Sequence, residues 1–368
     1  MGQRSSSSVL PSMQETKSAL TVSIDYEIDS PRFSVHDAQK VQEGIEYLNK
    51  HGFAVFADIL SPDEITSNID LFWKHLENLP VPYHIQRDNA KTWDFLWPGI
   101  ARLGIMSNDG IGHSQFMWSV RGNPNIKKIF SQIWQTSELL VSFDAAGCFR
   151  DWRLNPTWKT TSGWYHCDQH PIRKPNRCSI QGLVSLTDGN EFTGGLVIVP
   201  DSHNHFGELQ SLVSAKNRQD DYVAIPSQHP LLQQLKPHLV KCKAGDLIVW
   251  DSRCIHCNTP ALDINDETKE EMNTNENKAP RLLRIVAYVC MGPTAMVASV
   301  KLEEFRKTRE KFVRDRVACT HWPHELNASS LPQSDEKQAL KLNAYQQSLI
   351  VGTNVDANDA TLGAAVDI

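Results

Sequence analysis

His166 and Asp168 stand two apart in the run Gly163-Trp164-Tyr165-His166-Cys167-Asp168-Gln169. Residues i and i+2 of an extended strand point to the same side, so an imidazole and a carboxylate here converge on one point. Far downstream, the segment Trp250-Asp251-Ser252-Arg253-Cys254-Ile255-His256 ends on a second histidine. Two histidines and one carboxylate on one face of a metal leave open coordination positions. That is the ligand set of non-haem Fe(II) oxygenases.

Such a set needs strands to carry it, and the chain supplies them from residue 139 onward. Short apolar runs at Leu139–Phe143, Ser179–Leu186, Leu196–Val199, Leu247–Trp250 and Leu282–Val289 alternate with turn residues such as Gly194-Gly195, Pro200 and Gly245-Asp246. Strands without regular intervening helices predict a mainly β fold, a double-sheet jelly roll whose distant segments meet in space. Helices are expected before it. Val41, Ile45 and Leu48 lie at helical spacing between Val35 and Lys50, with Gly52 as a stop, and Gly52–Phe56 reads as a strand. Ser61-Pro62-Asp63-Glu64 is a capping box opening a helix to about Leu79. Asn123-Pro124 starts another, and a long amphipathic helix spans about Lys301 to Val317.

The expected organisation is a largely disordered tail over residues 1–30, a single domain over 31–350 and a loose tail over 351–368. The jelly-roll core of that domain is expected at about 139–295, interrupted by a polar insert at 263–280.

Hydrophobic residues make up 40% and charged residues 22% of the chain, ordinary values for a protein with a sizeable core. A net charge of −6 offers nothing to attract a nucleic acid. No apolar run approaches the roughly 20 residues a bilayer span requires, and no secretion signal is recognisable. The eight cysteines then read as reduced thiols, and a cytoplasmic location is expected. Met1-Gly2-Gln3-Arg4-Ser5-Ser6 fits the N-myristoylation pattern at Gly2. One such chain gives only marginal, reversible membrane binding, so no stable insertion is expected.

The ordered set of motifs is more specific than any one of them. It comprises Trp164-x-His166-x-Asp168-Gln169, the run from Gly194 to His203, then Gly245-Asp246 with Trp250 and His256, and finally Arg284 with Tyr288. Over roughly residues 40 to 325 it resembles the phytanoyl-CoA dioxygenase family of Fe(II)- and 2-oxoglutarate-dependent oxygenases, which have a double-stranded β-helix, a form of jelly roll. The resemblance implies His166, Asp168 and His256 as iron ligands. It also implies 2-oxoglutarate and O2 as cosubstrates, a small-molecule or lipid-like substrate, and hydroxylation of a C–H bond with release of succinate and CO2. Retention of Asp168 favours hydroxylation over halogenation.

The resemblance further implies an arginine that holds the far carboxylate of 2-oxoglutarate, which suits the paired donors of a guanidinium. Arg281 and Arg284 compete for that role. Arg284 shares parity with Val286 and Tyr288 and lies deeper in the apolar run, so it is preferred. Gln181, at the start of a strand, is a candidate donor to the cosubstrate or an edge glutamine. Asn258 either touches the cosubstrate or caps a turn, and Trp164 either walls the pocket or fills the core.

Other residues have plainer readings. His203 and His205 follow a structural turn, and Arg121 meets an anionic substrate or caps a helix. His321-Trp322-Pro323-His324 either folds over the site or packs. Cys254-Ile255-His256-Cys257 lacks the second cysteine pair of a structural zinc site. Two other classes remain open: a non-catalytic or zinc-bound jelly-roll binding protein, and a cupin-type dioxygenase that does not use 2-oxoglutarate.

Overall fold

The structure is a computed structural model and describes residues 22–213, 221–263, 281–328, 340–355 and 366–367. The serine-rich start with Gly2 and nearly all of the polar insert lie outside the described residues. Two antiparallel sheets face one another. The larger contains β1 (Arg32–Ser34), β2 (Phe53–Ala57), β3 (Ile105–Met106), β5 (Ala146–Phe149), β7 (Ile180–Ser185), β11 (Leu247–Asp251) and β13 (Arg284–Tyr288). Their order is β1-β2-β11-β7-β13-β5-β3, and only the β1–β2 pair is parallel. The smaller contains β6 (His166–Cys167), β8 (Gly195–Ile198), β9 (Val223–Ala224), β10 (His238–Leu239) and β12 (His256–Thr259), in the order β10-β8-β12-β6-β9. Two short pairs join β4 (Leu139–Val141) to β14 (Met291–Pro293) and β15 (Lys341–Leu342) to β16 (Val366–Asp367). The architecture is the jelly roll that the strand pattern predicts.

Strand parity sorts the core into three layers. Phe53, Val55, Leu183, Ile248, Trp250 and Val286 from the larger sheet meet Leu196 and Ile198 from the smaller one between the sheets. The alternate residues Ala54, Phe56, Val184, Leu247, Val249, Ile285 and Ala287 face outward under the helices. On the far side of the smaller sheet, Cys167, Val197 and Cys257 pack with Phe206 and Leu231. The inner strands of the larger sheet, β2, β11, β7, β13 and β5, are therefore buried on both faces, which is why they read as largely apolar runs.

The helices that cover the larger sheet carry their own start and stop signals. In α1 (Ala38–His51), the Asp37 side chain accepts from the N–H groups of Gln39 and Lys40, so the helix begins after Asp37 rather than at Val35. Gly52 closes it at φ 82°, a left-handed conformation suited to glycine. The capping box of Ser61 and Glu64 opens α2 (Pro62–Glu77) as expected. Two further helices follow, α3 (Gln115–Arg121) and α4 (Pro124–Trp134), the latter opened by Asn123. After α5 (Pro230–Gln234) come α6 (Leu302–Arg314) and α7 (Ala344–Val351). The buried Arg309 of α6 donates to the carbonyls of Val141, Pro323 and Ile350, tying three segments together.

The N-terminal tail expected over residues 1–30 is shorter than that within the described residues. Val22 and Ile24 pack on the outer face of the smaller sheet, and Asp25 exchanges backbone hydrogen bonds with Pro237 and Leu239. Apolar residues two apart give this stretch one buried face, enough to add it to the sheet edge beside β10. At the other end, residues 366 and 367, in the stretch expected to be loose, pair with β15. Among the described residues, no helix is long and apolar enough to cross a membrane.

Candidate metal and cosubstrate site

The smaller sheet brings the two histidines together. His166 of β6 is the register partner of His256 of β12, and their ring centroids lie 4.2 Å apart. Both project between the sheets, because their neighbours Cys167 and Cys257 take the outer face. Asp168 follows immediately after β6. Its Oδ1 lies 3.5 Å from His166 Nε2 and its Oδ2 lies 3.3 Å from His256 Nε2. Ligand atoms of the three residues fall within 4.8 Å of one another, and this is the cluster of metal-binding side chains found among the described residues.

Hydrogen bonds behind the cluster fix its chemistry. His166 Nδ1 donates to the Trp164 carbonyl at 3.1 Å and His256 Nδ1 to the Cys254 carbonyl at 3.0 Å. A carbonyl can only accept, so each Nδ1 carries the hydrogen and each neutral ring presents an Nε2 lone pair. Gln181 Nε2 donates to Asp168 Oδ2 at 3.0 Å, and His321 Nε2 donates to the Asp168 backbone carbonyl at 3.1 Å. Two lone pairs and a carboxylate thus face one another, an arrangement that calls for a proton or a cation between them. Burial would raise the Asp168 carboxyl, yet positive charge at the two imidazoles, the place a cation takes, holds it well below the usual carboxylate range. Burial and the neighbouring His166 ring push His256 downward, which favours the neutral ring a metal requires. The donor set fits a divalent iron with open positions toward the cavity.

That cavity has a volume of about 280 Å³ and is bounded by Gln181, Asn258 and Tyr288 from the two sheets and by Trp164 and His321 from the adjoining loops. Trp164 stacks on His166 at 4.7 Å and Tyr222 stacks on it at 4.9 Å. Trp164 therefore walls the pocket. A narrow recess adjoins the cavity, sharing Leu196 and Asn258 with it and lined further by Arg284 and Val286.

Arg284 opens β13 and faces between the sheets with Val286 and Tyr288, while Arg281 is exposed before the strand begins. The Arg284 guanidinium carbon sits 3.7 Å from the Phe149 ring centroid, and its Nη2 donates to Asn258 Oδ1 at 3.3 Å. A side chain at Gly195 would crowd this group, since a Cβ there would lie 2.6 Å from Leu239 and 3.4 Å from Arg284 Nη1. Among the described residues, the Arg284 Nε is buried without a partner and no carboxylate is paired with the cation. Burial pushes its pKa down to about 10. A desolvated guanidinium with open donors is a prepared seat for a carboxylate ligand.

The remaining sequence candidates fall elsewhere. His203 donates to the Asn49 carbonyl and His205 pairs with Glu208, both outside the cavity. Arg121 is buried and donates to the backbone carbonyls of Gly112 and Asp144. Cys254 and Cys257 are buried thiols outside the donor cluster, and burial pushes Cys257 up to about 12. His321 does fold back against the site, through Asp168. Sequence reasoning missed Asp144 and Tyr222, which also line the cavity. An acidic residue directly after the apolar run Leu139–Phe143 was a usable signal for Asp144; Tyr222 has none.

A sequence profile described as phytanoyl-CoA dioxygenase matches residues 48–260, a span that includes all three clustered donors, Gln181 and Asn258 but stops before Arg284. The chain is 23% identical over 287 residues to "Ava biosynthesis cluster protein O" of Aspergillus versicolor, covering 75% of this chain and 84% of that one. It is 22% identical over 372 residues to a "Putative phytanoyl-CoA dioxygenase" of Dictyostelium discoideum, covering 87% of this chain and 99% of that one. Among solved structures, the GlcNAc-inducible gene 2 product of Candida albicans superposes with a TM-score of 0.50 at 12% identity, covering 77% of this chain and 70% of that one. At that identity the likeness is one of fold.

Proposed function

The chain belongs to the phytanoyl-CoA dioxygenase family of 2-oxoglutarate-dependent non-haem iron enzymes, and on that premise we propose that it hydroxylates a C–H bond of a small-molecule or lipid-like substrate. His166, Asp168 and His256 hold Fe(II), and Arg284 with Asn258 holds the far carboxylate of 2-oxoglutarate. Iron and 2-oxoglutarate together supply the activation of O2. The balance is one substrate C–H, one 2-oxoglutarate and one O2 converted to one C–OH, one succinate and one CO2. The protein's own residues supply position and shelter. Gln181 and the two backbone carbonyls orient the ligands, and partners of this kind set metal affinity and ligand basicity. The apolar walls exclude water from the reacting centre.

One observation carries this reading: both Nδ1 hydrogens are committed to carbonyls, so two Nε2 lone pairs and a carboxylate converge on one point. The test loads the protein with Fe(II) and 2-oxoglutarate without oxygen, adds a metabolite extract, then admits oxygen. Succinate release coupled to a product about 16 Da heavier is expected, one oxygen atom having been gained. Absence of iron-dependent succinate release would sink it.

A further inference from the structure

The cavity beside the donor cluster has an uneven lining. Leu103, Ile105 and Leu196 make it apolar, and Trp164 adds an aromatic face. Set among them is a second carboxylate, Asp144, on the turn between β4 and β5 and outside the donor cluster. Its Oδ1 accepts from the Ala145 N–H at 2.9 Å. Arg121 of α3 directs its Nη2 to the backbone carbonyl of Asp144 and not to the carboxylate. The charge of Arg121 still acts on the Asp144 carboxylate, as do His321, Asp168, Tyr288, Cys290 and Cys319, and His321 has its Nε2 committed to the Asp168 carbonyl. Capping one N–H is a task asparagine or serine performs as well. A half-buried carboxylate in a largely apolar chamber is costly to hold on the one N–H of Ala145.

We propose that Asp144 is the specificity-determining residue of the substrate pocket. It receives a hydroxyl or amine of a substrate whose ring or chain lies against Leu103, Ile105 and Trp164, and it rejects substrates that present an acidic group there. This rests on the oxygenase reading and adds a substrate class to it: neutral or cationic hydroxy or amino compounds with an apolar body. A pocket built to accept from O–H or N–H discriminates strongly against analogues lacking the donor, because its polar group is then left unpaired. Against a carboxylate, like-charge repulsion adds to that loss.

Three probes that share a phenyl ring and differ in head group test it: 2-phenylethylamine, 2-phenylethanol and 3-phenylpropionate. Each is titrated by calorimetry into oxygen-free protein saturated with Fe(II) and 2-oxoglutarate, so that the Arg284 seat is already filled. The expected order is amine, then alcohol, then acid, with at least a tenfold gap between amine and acid, about the low end for a charge-assisted hydrogen bond. Asp144→Asn keeps an oxygen for the Ala145 N–H and should collapse that gap. Acid binding as tightly as amine, no measurable binding of any probe at millimolar concentration, or a ranking unchanged in the Asn variant overturns the proposal. Should that variant fail to fold, the wild-type ranking decides alone. Failure of wild-type protein to bind 2-oxoglutarate with Fe(II), seen before any probe is added, overturns the oxygenase reading and this inference with it.

Discussion

His166 and His256 are direct cross-strand partners, and their Nε2 atoms lie 3.5 and 3.3 Å from the two oxygens of a single carboxylate, Asp168. Loss of any one of the three should cost more iron affinity than the roughly 10–100-fold typical for loss of a residue that merely supports a ligand. His166→Ala and Asp168→Ala are therefore expected to abolish 2-oxoglutarate turnover while thermal unfolding stays near that of the wild type. Metal analysis and succinate release after reconstitution check this, and full iron occupancy with unchanged turnover would refute the assignment.

Gln181 reaches the same carboxylate from β7, with its Nε2 at 3.0 Å from Asp168 Oδ2. Gln181→Leu removes that donor and frees Asp168 to rotate. Iron affinity is expected to fall by about 10–100-fold with the fold intact. An iron titration of the variant that matches the wild type would show that this hydrogen bond is idle.

The seat for 2-oxoglutarate separates two arginines three residues apart. Arg284→Ala should raise the KM for 2-oxoglutarate by about tenfold or more, the loss of a charge-assisted hydrogen bond. Arg284→Lys should recover only part of this, because an ammonium lacks the paired donors of a guanidinium. Arg281 is exposed, and Arg281→Ala should leave the KM unchanged. A KM shift in the Arg281 variant alone would reverse the assignment.

Acid stability turns on a histidine remote from the site. His113 is buried, its Nε2 donates to the Val317 carbonyl at 2.8 Å, and its Nδ1 has no partner among the described residues. Burial, with Arg121 nearby, pushes its pKa down to about 3 from an ordinary 6.5. Between these values the unfolded chain binds a proton that the folded chain refuses, so stability falls as pH drops below about 6.5. The slope from this one group is at most about 1.4 kcal/mol per pH unit. Denaturant unfolding between pH 7 and 4 should show a shallower slope for His113→Gln than for the wild type. Equal slopes would discount His113 as the source.

Much of the site was legible because strand periodicity is local. His166 and Asp168 two apart, and Arg284 in phase with Val286 and Tyr288, face inward as alternation requires. The N-terminal helices were equally legible, since Ser61, Glu64 and Gly52 act on backbone groups a few residues away. What was not legible depends on distant partners. Residues 22–25 look like a polar tail until the edge beside β10 is there to receive Val22 and Ile24. Gln181 reads as a cosubstrate donor or a strand-edge glutamine until folding brings it within 3.0 Å of Asp168.

The sequence by itself determined the ligand types, their inward parity, the jelly-roll pattern and hence the class of chemistry, because each depends on spacing within one strand or on the order of strands. Only the tertiary structure decided that Gln181 serves the metal ligand, that Arg284 is a buried cation without an acidic partner among the described residues, and that Asp144 and Tyr222 line the same cavity. Those relations join residues on separate strands and loops. Side chains so far apart in the chain acquire a common environment only when the two sheets close over it.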